Sequence, residues 1–165
     1  MAAATKGFLA AALLGVAIGL AAWSLRPHPG GDLIRRALEA RTTLSQAQTV
    51  IPVTGIAEAR RYDQALSLAA GAPVTVPDLD AIGFRLTALR FGEGAGELFY
   101  LGRDGETLTL CLHPSDGEIR LERFERGPLR LVLWQDEKMG MTAAAELPFA
   151  RLQKLAAHAY SQLQR

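Results

Sequence analysis

One cysteine in 165 residues and three widely separated histidines leave this chain with little of the usual chemistry of catalysis or metal binding. A lone Cys111 excludes an internal disulfide, so the fold depends on an apolar core. The formal net charge is +1, with no polybasic stripe and no acidic field, so direct nucleic-acid binding is not expected. No 20–50-residue repeat divides the chain.

The scattered polar groups read as structural. His28 lies in a Pro/Gly linker, His113 at a strand end and His158 in the last helix. Ser115 is two residues from His113, but Pro114-Ser-Asp-Gly117 is a turn in which Ser and Asp bond their own backbone. Cys111 and His113 share a strand face, yet two ligands do not make a metal site; a packed thiol is expected. Asp78 and Asp80 lack the acidic ladder of a calcium loop. Gly92, Gly94 and Gly96 precede a strand rather than a helix, so they read as a flexible hairpin loop and not as a phosphate cradle. Met139 and Met141 read as core filling. No catalytic residue, cofactor or metal is expected, and the chain does not read as an enzyme.

What the sequence does have is an uncharged run from Gly7 to Leu25. Nineteen residues at a helical rise of ~1.5 Å approach the ~30 Å hydrocarbon core of a bilayer. Eight Phe, Leu, Val and Ile residues favour insertion, and Trp23 near its end suits the headgroup region. An uncleaved anchor is favoured over a cleaved signal because the run is longer than a usual signal core. Gly15 and Gly19 have the spacing of a membrane-helix contact, which leaves homodimerisation open. Arg26, Arg35, Arg36 and Arg41 follow the run, and charge alone would place the C-terminal part in the cytoplasm.

Beyond the 1–6 tail and the 7–25 span, residues 26–48 read as a linker and a stalk helix. Pro27, Pro29, Gly30 and Gly31 free the chain, and Leu33, Ile34, Ala37, Leu38 and Ala40 recur at helical spacing. Val50–Val53 is short and extended. A second helix runs from Thr54 or Gly55 to its stop at Gly71. From Gly83 the period changes to two, giving strands at 83–91, 97–102, 106–113, 119–125, 129–134 and 139–146. Pro148 to Gln164 is an amphipathic helix. The expected fold of residues 49–165 is α+β: an antiparallel meander of five or six strands, covered by the C-terminal helix and the upstream helix.

The order of short motifs adds a resemblance. Pro77-Asp78-Leu79, Gly83-Phe84, Leu86 and Arg90 lead into a hairpin with Phe99-Tyr100, the Gly105 turn and a Leu-Thr-Leu strand. The Leu131–Trp134 strand, the Gly140 strand and a closing helix with Tyr160 follow. Residues 45–163 resemble the exported C-terminal domain of bacterial transmembrane anti-sigma factors, regulators of extracytoplasmic-function sigma factors. The resemblance implies a single-pass protein of the bacterial inner membrane with a periplasmic sensory or interaction domain. In that family a cytoplasmic domain, often carrying His-x3-Cys-x2-Cys, grips the sigma factor. The six residues before Gly7 offer no counterpart, so a separate sigma-binding subunit or an envelope protein is the expected partner, beside the bilayer itself. Phe99, Tyr100 and Trp134 are the candidate interaction face. The alternative is an anchored or secreted accessory protein of the envelope without regulatory output.

Overall fold

A computed structural model describes residues 50–92 and 94–164, which all belong to one compact unit. The readings at residues 1–49 (the membrane span, the Gly15–Gly19 contact, the linker and the stalk helix) lie outside the described residues. Among the described residues seven strands form one antiparallel sheet: β1 (Ile51–Pro52), β2 (Phe84–Gly92), β3 (Ala95–Gly102), β4 (Thr107–Pro114), β5 (Arg120–Arg126), β6 (Leu129–Gln135) and β7 (Met139–Ala145). The helical segments are α1 (Ile56–Ala59), a 3-10 turn at Arg60–Tyr62, α2 (Asp63–Ala70), a 3-10 turn at Asp80–Ile82 and α3 (Phe149–Leu163). The α+β class holds. Among the described residues no helix is long and apolar enough to cross a membrane.

Two expectations about the sheet are corrected. The sheet has seven strands rather than five or six, because the extended Val50–Val53 stretch docks on its edge, Ile51 opposite Leu89 and Pro52 opposite Ala88. A proline is tolerated there because an edge strand leaves one side unpaired. The sheet is also not a simple meander. Its spatial order is β1-β2-β3-β4-β7-β6-β5, so the chain leaves β4, starts again at the far edge and returns to fill the centre. Burial explains the choice. Met139-Gly-Met-Thr-Ala-Ala-Ala145 carries no charge and is buried at all seven positions, as a central strand requires. Arg120-Leu-Glu-Arg-Phe-Glu-Arg126 alternates charge with apolar groups and is half-exposed or exposed throughout, which suits an edge that must resist pairing with other chains.

The helices share one face. Leu66 and Ala70 of α2, with Leu152, Leu155, Ala156, Ala159 and Leu163 of α3, pack on Leu86, Leu89, Leu98, Tyr100, Leu110, Leu112, Val132 and Met141. Val74, Val76 and Leu79, in the connection from α2 to β2, join the same core. Gly96 is the contact point for α2: a side chain there would stand 2.5 Å from Leu66 Cδ1. That corrects the reading of the glycine triplet as a loop. Gly92 ends β2 and Gly96 lies within β3, leaving a tight hairpin in which Gly94 takes φ 67°. The helix expected over Thr54–Gly71 is likewise divided by the 3-10 turn at Arg60–Tyr62, where the Tyr62 ring meets Phe91 at 6.2 Å.

Candidate functional site

Phe99, Tyr100 and Trp134 do not come together. Adjacent strand residues point to opposite faces, so Phe99 and Tyr100 part company at once. Tyr100 is buried in the helix-covered core and its hydroxyl donates to the Pro77 carbonyl at 2.8 Å. Burial, with the nearby charges of Asp78 and Asp80, pushes this phenol well above its ordinary range. Phe99 is 2 % exposed on the other face, against Ala88 and Val50. Trp134 stands on the helix side of β6, half-buried and stacked on Tyr160 of α3, with 5.2 Å between ring centroids.

Trp134 opens onto a polar corner. The Asp136 carboxylate accepts the backbone N–H groups of Lys138 (2.7 Å) and Met139 (2.9 Å), and an amide N–H from Gln164 at 2.8 Å. Desolvation works to raise this carboxyl, but the Met139 N–H and the other donors outweigh it and hold it below the usual carboxylate range. Burial and the facing Asp136 push the Tyr160 phenol upward. The Ser115 hydroxyl donates to the Asp136 carbonyl, and Gly117 N–H donates to Ser115 Oγ at 3.0 Å. Ser115 therefore serves as a turn residue. Asp136 ties the β6–β7 turn, the turn after β4 and the end of α3 into one joint.

Beside this joint lies the surface feature that sequence reasoning missed. A groove of about 440 Å³ is lined by Gln64, Ser67, Leu68, Gly71, Ala72 and Pro73. An adjoining hollow shares Ala72 and Pro73 and reaches Lys138, Met139 and Gln164. Leu68 is 78 % exposed on its rim. The groove exists because α2 stops at Gly71, in the left-handed conformation (φ 71°), and Ser67 then holds the departing strand. Its hydroxyl accepts Val74 N–H at 3.0 Å, while Asp63 accepts Val76 N–H at 2.9 Å. Leu66 and Leu68 carried the signal. Two residues apart on a helix they are ~200° apart in direction, so Leu66 in the core puts Leu68 in water. A second, more polar cleft of about 480 Å³ lies at the opposite end of β2 and β3, between Asp80, Gly83, Arg85, Leu101, Gly102 and Arg103.

Cys111 and His113 share the face away from the helices, as their spacing requires, and both are buried. His113 lies across Gly140, its cross-strand partner: a side chain at Gly140 would stand 1.9 Å from the imidazole Cε1. Its Nδ1 is 3.0 Å from the Pro114 carbonyl. Among the described residues no group of three or more His, Cys, Asp and Glu is placed to hold a metal ion. Asp78 is used as backbone punctuation, accepting Asp80 N–H at 3.0 Å, and its own N–H and carbonyl are bridged by the Gln162 amide.

Comparison of the chain with known protein families, curated proteins and solved structures finds no match.

Proposed function

We propose that this chain is a membrane-anchored, anti-sigma-factor-like protein of the bacterial inner membrane. Its 49–165 domain works in the periplasm as a protein-interaction module in envelope-linked transcription regulation. The observation that carries the interaction reading is the groove at the end of α2, with Leu68 on its rim and an apolar floor of Ala72 and Pro73. An exposed leucine alone is ordinary surface; beside a concave apolar floor it is half of a contact. The regulatory reading rests on the motif order from Pro77 to Tyr160, and the membrane reading on the uncharged run Gly7–Leu25. A partner filling the groove meets α2, the Asp136 joint and the end of α3 together, so binding there bears on the domain's stability.

The test is expression profiling in the host under envelope stress, comparing the intact gene, its deletion and Leu68→Asp. The expected outcome is one set of transcripts shifted by the deletion and shifted the same way by Leu68→Asp, with the variant still folded. Unchanged transcripts in both strains would refute the regulatory reading and favour the accessory envelope role. Protease treatment of spheroplasts checks the address: the 49–165 domain should be digested.

A further inference from the structure

Three charged side chains line the polar cleft where β2 begins and β3 ends, and none of them neutralises another. Arg85, Arg103 and Asp80 are all exposed there, and among the described residues none of the three side chains makes an ion pair or a hydrogen bond. Elsewhere on the sheet, arginines and acids within reach close on each other: Arg90 on Glu97, Arg120 on Asp116, Arg130 on Glu125, Arg151 on Glu106. The cleft keeps its charges apart because backbone bonds fix the frame beneath them. Gly83 ends the 3-10 turn in the left-handed conformation (φ 92°), and its N–H donates to the Asp80 carbonyl at 3.0 Å. Its own carbonyl accepts the Arg103 N–H at 3.2 Å, which ties the end of β3 to the same point. The Arg103 side chain lies along Gly83, with Nε 3.7 Å from where a Cβ would stand. Arg85 is the cross-strand partner of Leu101, so the two share a face, and Leu101, 40 % exposed, is the apolar wall.

We propose that this cleft binds a phosphate ester whose organic part carries a hydroxyl or an ammonium group. A guanidinium fork matches the oxygens of a carboxylate or a phosphate. One fork already occupies both oxygens of a carboxylate, whereas two arginines at one cleft suit a phosphate, which keeps two or three free oxygens as an ester. Asp80 sets the rest of the ligand. An ionised carboxylate only accepts hydrogen bonds, so it repels a bare anion and favours one that presents a donor beside its phosphate. The volume of about 480 Å³ lies within the ~300–1,000 Å³ of small-molecule sites. A soluble phosphate monoester and the phosphodiester headgroup of a lipid both offer this chemistry. The inference depends neither on the regulatory role nor on the groove beside Leu68.

Calorimetric titration of the full-length chain with O-phosphoethanolamine, glycerol 3-phosphate, glycerophosphoethanolamine and inorganic phosphate tests it. At least one ester should bind at least tenfold more tightly than inorganic phosphate. Arg85→Gln and Arg103→Gln should each weaken that ester at least tenfold. Asp80→Asn should abolish the preference for the ester without weakening inorganic phosphate. All three side chains are exposed, so circular dichroism should be unchanged in each variant. Tighter binding of a monoester assigns a soluble ligand, and tighter binding of the diester assigns a lipid headgroup; either supports the site. No binding of any ester, esters held no more tightly than inorganic phosphate, or binding unchanged in both arginine variants would overturn it.

Discussion

Both faces of this sheet are buried along their middle rows but are built differently. The helix-covered face is large and branched: Leu86, Leu89, Leu98, Leu110, Leu112 and Val132 interlock with leucines and alanines of α2 and α3. The other face mixes small, polar and aromatic groups, with Thr109, Cys111, Thr142, Gly140 and Ala144 beside Phe99 and Leu133. It also holds an ion pair, in which the Arg90 guanidinium reaches both oxygens of the buried Glu97 carboxylate, one at 2.7 Å. A sheet with one wet face alternates apolar and polar residues; β4 and β7, buried at nearly every position, read instead as strands enclosed on both sides. The difference teaches that burial here is divided between a face of large branched side chains and a face of smaller, polar and aromatic ones.

The largest effects should come from truncating each face in turn. Leu110→Ala on the helix side removes a fully buried side chain and should lower stability by about 3 kcal/mol in urea unfolding. Leu133→Ala on the other side should do nearly as much. A loss below ~1 kcal/mol would mean that this face is only nominally covered. Gly140→Ala comes next, at about 2 kcal/mol, because a methyl there collides with the His113 ring. Its thermal midpoint should be restored in part by His113→Ala, which vacates the space.

Smaller effects belong to the rim. Asp136→Asn weakens the turn and its tie to α3 and should lower stability by about 1 kcal/mol. The same group gives a pH dependence. Its folded carboxyl lies below the ordinary value, as does that of Asp116, whose main support is the Glu118 N–H. Such groups contribute stability that is fully present above the unfolded carboxyl pKa of ~4 and is lost as pH falls through the lower folded value. Urea midpoints should be flat from pH 7 to 5 and fall below pH 4, with a shallower fall in Asp136→Asn. Smallest of all, Leu68→Asp should change the unfolding free energy from urea titration by less than ~0.5 kcal/mol, because the side chain stands in water in the unbound domain.

Much of the fold was legible in local pattern. The change of period at Gly83, the Asp104-Gly105 hairpin and the closing helix from Pro148 all follow from spacing and turn chemistry. The strand order did not, because pairing β7 with β4 is a non-local choice. Its clue was compositional: a seven-residue stretch without charge belongs in the middle, and RLERFER at an edge. The candidate face failed for a simpler reason. Phe99 and Tyr100 are both aromatic, but the period of two puts them on opposite sides. The groove was hidden in the other direction, since Leu68 resembles a core leucine until its angle to Leu66 is counted.

The reactivity of Cys111 in the intact chain most directly tests the two-sided account. Cys111 is 1 % exposed, so maleimide should label this thiol at least a hundredfold more slowly in buffer than in concentrated urea. Labelling at the urea rate under native conditions, with circular dichroism unchanged, would mean that the second face stands open, and would contradict it.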